Sequence, residues 1–282
     1  MKTIFETFKQ SIYNPVFYQN AVTAPLSNIA RYYIKFSLVL SFLMTISLGI
    51  LLVPQGVTFI KEHAPEMVRN YFPAELTVHI EKGEASVNVV EPYVIVGKDG
   101  AQTILKEQGL ENMLVVDTKH DFDKKKFEEY KTFALLTKTE IVTQSDKGQI
   151  TIQDLRVFPT VTINQEWLLS WVEKVHSNIG YIIFFGLIAT FIAMMLGYLK
   201  YFVVLLIFAL IPLFIAYLKK ISLSYGNAYK MSLYAIIPAL ALKTLINIFG
   251  VFSMPAYFTL LVFMLVVAIN MQETEQPKLF NN

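Results

Sequence analysis

The chain has no cysteine, and only 16% of its 282 residues are charged. The first absence excludes disulfides, thiol nucleophiles and cysteine-ligated metals. The second departs from soluble domains, in which about 25% of residues are charged. Several motifs are missing as well. No HExxH, GxSxG or Walker loop occurs, and no GxGxxG opens a helix after a strand, so nothing marks a catalytic centre, a resident metal or a cofactor. The net charge of +2 is small, and no stretch forms a basic face interleaved with aromatics, which argues against nucleic acid as a partner.

Apolar residues are what the chain has in excess: 54% are hydrophobic and the mean hydropathy is +0.47. Roughly 20 mostly apolar residues cross a bilayer core, and five stretches reach that length: 36–53, 179–199, 201–218, 231–249 and 251–271. The expected fold is therefore a membrane protein of five transmembrane α-helices. The first stretch is read as a retained anchor, because some 35 residues precede it and no small-x-small site follows Val53. A charge, Lys243, occurs only in the fourth.

Residues 54–178 differ in composition and hold most of the Asp and Glu. Short alternating runs at Leu76, Ala85, Tyr93, Met113, Thr139 and Gln149 read as strands. "SDKG" at 145–148 reads as a hairpin turn and "KDG" at 98–100 as another turn. A short amphipathic helix starts near Asp121, and Asn164 is placed to cap "QEWLLSWVEKVHS". This is an α+β domain inserted between spans, expected to be extracytoplasmic. A four-helix transmembrane part follows over 179–271, with a tail over 272–282.

Within residues 1–30, Ile4, Phe5, Phe8, Ile12 and Val16 share one helical face, which suits an interfacial amphipathic helix; a merely amphipathic cytoplasmic stub is the bland alternative. Asn14-Pro15 and Pro25 interrupt it. Lys2, Lys9, Arg31 and Lys35 precede the first span, against Lys61 and Arg69 soon after it. The positive-inside rule then puts the N-terminus in the cytoplasm and, after five spans, the C-terminus outside. Lys219, Lys220 and Lys230 conflict with that orientation, since it leaves them outside.

Other side chains could carry chemistry. His63, His79, His120 and His176 show no ligand spacing. Asp117, Asp121 and Asp123 lie close together, but an EF-hand needs a Gly that this loop lacks, so a solvated helix N-terminus is the simpler reading. Ala189, Ala193 and Gly197 recur every four residues and present a small face for helix packing. "GYLK" at 197–200 reads as a tight turn between two spans in an antiparallel hairpin. In the fourth span Ala235, Ala239, Lys243 and Asn247 line one stripe, and Pro238 beside it is expected to kink the helix. Tyr225, Tyr229 and Lys230 are placed to anchor its start among headgroups. Lys243 either snorkels to the interface or, with Asn247, holds a lipid phosphate or another anion between helices.

"FKQSIYNP", "FPAELTVHIEKGEASVNVVEPYVIV", "LVVDT", "ALLTKTEIV" and "SYGNAYKMSLYAIIPALALKTL" together resemble the bacterial membrane-protein family catalogued as domain of unknown function 1189. The resemblance covers nearly the whole chain and implies residence in a bacterial cytoplasmic membrane. It implies no activity; some members carry a label linking them to maltodextrin utilisation. Beside it the residues leave three readings. The first is a sensor, scaffold or accessory protein whose inserted domain binds a protein partner or envelope component. The second is a lipid-interacting or transport-assisting protein, and the third an enzyme. The oligomeric state is not legible.

Overall fold

The computed structural model describes residues 4–145, 148–250, 255 and 257–271. Lys2, Asp146 and Lys147 of the "SDKG" turn, the start of the fifth apolar stretch at 251–254 and 256, and the tail 272–282 lie outside the described residues. The chain forms two compact units, residues 1–53 with 183–282 and residues 54–182.

Helix α1 (Ile4–Ile12) ends before Asn14-Pro15. Asn14 Oδ1 then accepts from the Phe17 amide at 2.9 Å and caps α2 (Pro15–Thr23), whose first residue has no amide to satisfy. Helix α3 (Leu26–Thr58), a π turn (Phe59–His63) and α4 (Ala64–Tyr71) follow. The next segment contains β1 (Val78–Glu81), β2 (Glu84–Val87), β3 (Tyr93–Ile95), α5 (Asp99–Glu107), β4 (Asn112–Val116) and α6 (Lys124–Tyr130). It continues with β5 (Thr132–Leu136), β6 (Glu140–Gln144), β7 (Ile150–Asp154), β8 (Val161–Ile163) and α7 (Gln165–Ser177). Last come α8 (Ile179–Leu199), α9 (Tyr201–Phe208), α10 (Leu210–Leu218), α11 (Tyr225–Phe249) and α12 (Phe258–Asn270).

In the 54–182 unit the strands form two sheets, ordered β2-β1-β8 and β3-β4-β5-β6-β7. Among the described residues only β4 and β5 pair in parallel, and the crossover a parallel pair needs is supplied by α6. Leu76, Val78 and Ile80 pack with Ile95, Val116 and Leu136 in one core. The opposite face of the larger sheet buries Val115, Leu135 and Val142 against Phe127 of α6. Central strands covered on both faces lose the alternation of half-buried ones. That is why "TFALL", which forms β5, escaped the sequence reading. Asn164 Oδ1 caps α7 by accepting from the Trp167 amide at 2.8 Å.

The unit of residues 1–53 and 183–282 is built around α11. Every residue from Met231 to Ala241 is buried, with α1, α2, α9, α10 and α12 packed against the helix and the ring of Tyr32 of α3 tilted against Tyr234 at 5.5 Å. Lipid is as apolar as leucine, so close van der Waals packing holds such helices together. Ala235 and Ala239, both fully buried, permit that approach.

Three helical runs are long and apolar enough to cross a membrane: Leu26–Tyr71, Ile179–Leu218 and Tyr225–Phe249; Phe258–Asn270 is a shorter apolar helix. The protein is thus a membrane protein carrying an α+β unit. One expectation needs correction. "GYLK" makes no hairpin: Lys200 has right-handed helical angles (φ −53°, ψ −27°), and the Val204 amide bonds the Lys200 carbonyl at 3.1 Å. The second and third apolar stretches therefore belong to one helical run. The segment offers neither a proline nor a left-handed glycine to reverse the chain.

Candidate functional site

Just before the α8–α9 junction at Lys200, the Tyr198 carbonyl accepts from Tyr33 Oη at 2.7 Å. Lys200 sits where this junction meets the C-terminal half of α11. There a cavity of about 200 Å³ is lined by Lys200, Tyr201, Lys243 and Asn247, with Met44, Met194 and Leu240 among its apolar walls.

The polar groups around the cavity divide by availability. Thr244 Oγ1 donates to the Leu240 carbonyl at 2.8 Å. Its only proton is used there, so it accepts from Tyr198 Oη at 2.6 Å. Tyr198 and Thr244 thus satisfy each other. Lys200, Lys243 and Asn247 remain as donors, and neither lysine forms an ion pair among the described residues. Lys200 lies over the Tyr201 ring at 5.8 Å. Glu6 is the only acidic residue within 1–53 and 183–271, so the site has cations and no carboxylate nearby in sequence to neutralise them. Such an arrangement fits an anion whose oxygens take ammonium and amide protons from two helices at once.

The predicted stripe of α11 splits along its length. Ala235 and Ala239 are buried, Lys243 is half-buried and Asn247 is exposed, the last two facing the cavity. Pro238 lies inside α11 and is buried. On α8, Ala189 and Ala193 are exposed and Gly197 lines the cavity, and a Cβ at Gly197 would meet nothing within 4 Å. That stripe is thus left uncovered by the described residues of its own chain.

The expected headgroup anchors bond to backbone. Tyr225 Oη donates to the Leu206 carbonyl at 2.6 Å, Tyr229 Oη to the Phe202 carbonyl at 3.0 Å, and Lys230 Nζ to the Val22 carbonyl at 3.0 Å.

Sequence reading missed Lys200 as a site residue because it was assigned to a turn. The signal available was a lysine interrupting a 40-residue helical run. It also missed the contact between Asp117, which is buried, and His120, which is mostly exposed. His120 Nδ1 lies 2.8 Å from Asp117 Oδ1, and Tyr130 Oη donates to Oδ2 at 3.0 Å; burial first, then this bond, raises the Tyr130 pKa. Asp123 caps α6, accepting from the Lys125 and Lys126 amides. Among the described residues no three His, Cys, Asp or Glu side chains converge as a metal site.

No curated protein and no solved structure matches the chain significantly. The family model described as "Protein of unknown function (DUF1189)" matches residues 5–271, and the chain therefore belongs to the DUF1189 family.

Proposed function

We propose that this is a multi-pass protein of a bacterial cytoplasmic membrane that holds the phosphate of an anionic lipid between its membrane helices. The supporting observation is that Lys200 and Lys243, from different helices, line one cavity with Asn247. An unpaired ammonium at membrane depth costs roughly 3 kcal/mol on insertion scales, and a bound phosphate removes that cost for both lysines. Snorkelling alone would not call for the two to converge. Purified protein carrying Lys200→Met with Lys243→Met should lose at least about tenfold of its co-purifying anionic lipid while keeping its helical circular dichroism. An unchanged lipid profile refutes the reading.

Contacts within one unit support a reading of the membrane crossings. Asn270 Nδ2 donates to the Ile12 carbonyl, and the Asn14 amide donates to Asn270 Oδ1. Lys219 Nζ donates to the Ala268 and Met271 carbonyls at the end of α12. The N-terminal helices, the α10–α11 loop and the end of α12 therefore share one end of the bundle. We read four crossings, α3, α8, α11 and α12, in place of five. Helices α9 and α10 extend α8 from Lys200, beside the C-terminal half of α11, to Lys219 at Met271, and count with α8 as one crossing. The first-span charge rule makes that end cytoplasmic, which brings Lys219, Lys220 and Lys230 inside and leaves the α+β unit extracytoplasmic.

A second reading, a sensor or scaffold whose inserted unit binds a protein partner, is supported by the open edge of β7. That strand pairs only with β6 and leaves Ile152 exposed, a surface suited to strand addition. Crosslinking in native membranes from a photoreactive residue at Ile152 should capture one stoichiometric partner. Capture that persists unchanged when the residue is moved to buried Val142 would count against it.

A further inference from the structure

Helices α4 and α7 of the 54–182 unit run antiparallel, pinned where Gln165 Nε2 donates to the Phe72 carbonyl at 2.7 Å. Between them lies a groove of about 440 Å³. Lys61 and Arg69 stand on one wall and Glu166, Glu173 and His176 on the other. The groove brings Lys61 and Arg69 together with Glu166 and Glu173 across it. Yet none of these four forms an ion pair within 4 Å among the described residues. The floor is apolar, from Ile60, Leu169 and Val172. A second feature coincides with it. The π turn Phe59–His63 supplies Ile60 and Lys61, and single π turns within helices recur at functional sites.

The sequence distance to the apolar stretches gives the groove's depth. His176 precedes the apolar stretch at Ile179 by three helical residues, roughly 5 Å, and the long stem of Lys61, eight residues after Val53, reaches back toward the same level. The headgroup layer beyond the hydrocarbon core is about 5–8 Å thick on each side. Trp171, half exposed with Lys174 over its ring at 5.7 Å, is the kind of side chain found at that level.

We propose that this groove binds the headgroup of a zwitterionic, primary-amine phospholipid of the phosphoethanolamine type. Its phosphate lies against Lys61 and Arg69, its ammonium donates to Glu166 and Glu173, and the glycerol end lies on the apolar floor. Opposed walls of unlike charge select a ligand carrying both signs. An anionic lipid meets two carboxylates, and a choline headgroup has no N–H to donate to them. The site is separate from the Lys200–Lys243 cavity and does not depend on it.

The absence of cysteine allows a direct test. Full-length protein with Ser170→Cys carries a bimane fluorophore on the groove wall and is placed in nanodiscs of phosphatidylcholine containing increasing phosphatidylethanolamine or phosphatidylglycerol. Emission should shift saturably with phosphatidylethanolamine and at least about tenfold more weakly with phosphatidylglycerol. Glu166→Gln with Glu173→Gln should remove the preference, and Lys243→Met should leave it intact. If the carboxylate variant loses its circular dichroism, Lys61→Gln with Arg69→Gln tests the other wall. An equal response to both lipids, or an unchanged preference in whichever variant folds, overturns the proposal. Saturation by soluble phosphoethanolamine in discs of phosphatidylcholine alone would overturn the assignment to a lipid.

Discussion

Lys230 Nζ donates to the carbonyl of Val22 at 3.0 Å, joining residues 208 positions apart. Val22 is in the last turn of α2, where a cation complements both the unsatisfied carbonyls and the helix dipole. Lys219 does the same for α12. Lys219 and Lys230, two of the three lysines that conflicted with a five-span orientation, are thus helix caps at the end occupied by the N-terminus. Single cysteines at Lys220 and Ser145 should label from opposite sides of the membrane, Ser145 in intact cells and Lys220 only after lysis. Labelling of both from outside would defeat the four-crossing arrangement.

Asn270 is buried and serves three backbone groups, the Asn14 amide and the carbonyls of Ile12 and Val266. Replacing it with Leu keeps an apolar volume but strands the Asn14 amide and the Ile12 carbonyl, at about 1–3 kcal/mol for each buried unsatisfied group. Asn270→Leu should lower the melting temperature of the purified protein in detergent and free α1 to protease. A wild-type melt would show that α1 is held by its apolar contacts alone, such as the Phe8–Phe36 stack at 5.1 Å.

Residues 54–182 should fold when expressed alone, because their two apolar clusters are filled by their own side chains. Within that unit the β1–β2 turn places Lys82 at φ 52° and Gly83 at φ 84°, the paired positive angles of a two-residue hairpin turn. A Cβ at Gly83 would clash with Arg156 Cγ and fall 3.1 Å from its Cα. Gly83→Ala should therefore cost about 1–3 kcal/mol in urea unfolding. A loss near zero would mean that the hairpin and the Arg156 turn move apart freely.

Asp123 accepts from the amides of Lys126 and Lys125, which lowers its pKa. A carboxylate whose folded pKa is depressed contributes stability above its unfolded value, and this is lost as pH falls through the folded value. Hydrogen exchange at Lys125 and Lys126 should accelerate only below the ordinary aspartate value of about 3.9. Asp123→Ala should show that faster exchange already at neutral pH, and Asp123→Asn should restore protection, since its side-chain oxygen still caps. Equal protection in the Ala variant would remove the cap from the account of α6.

Local chemistry was legible without the fold. Proline and asparagine at 14–15 ended one helix and capped the next, Asn164 opened α7, and apolar length marked the membrane segments, because each effect acts over a few residues. Tertiary structure decided what depends on distant partners. "TFALL" became a strand because both its faces are covered. Lys230 became a cap through α2, and Lys200 met Lys243 only where α8 and α9 pass α11. A lysine's role in a bilayer depends on which carbonyl, cation or headgroup lies within reach of its side chain, and that neighbour is set by packing between segments far apart in sequence.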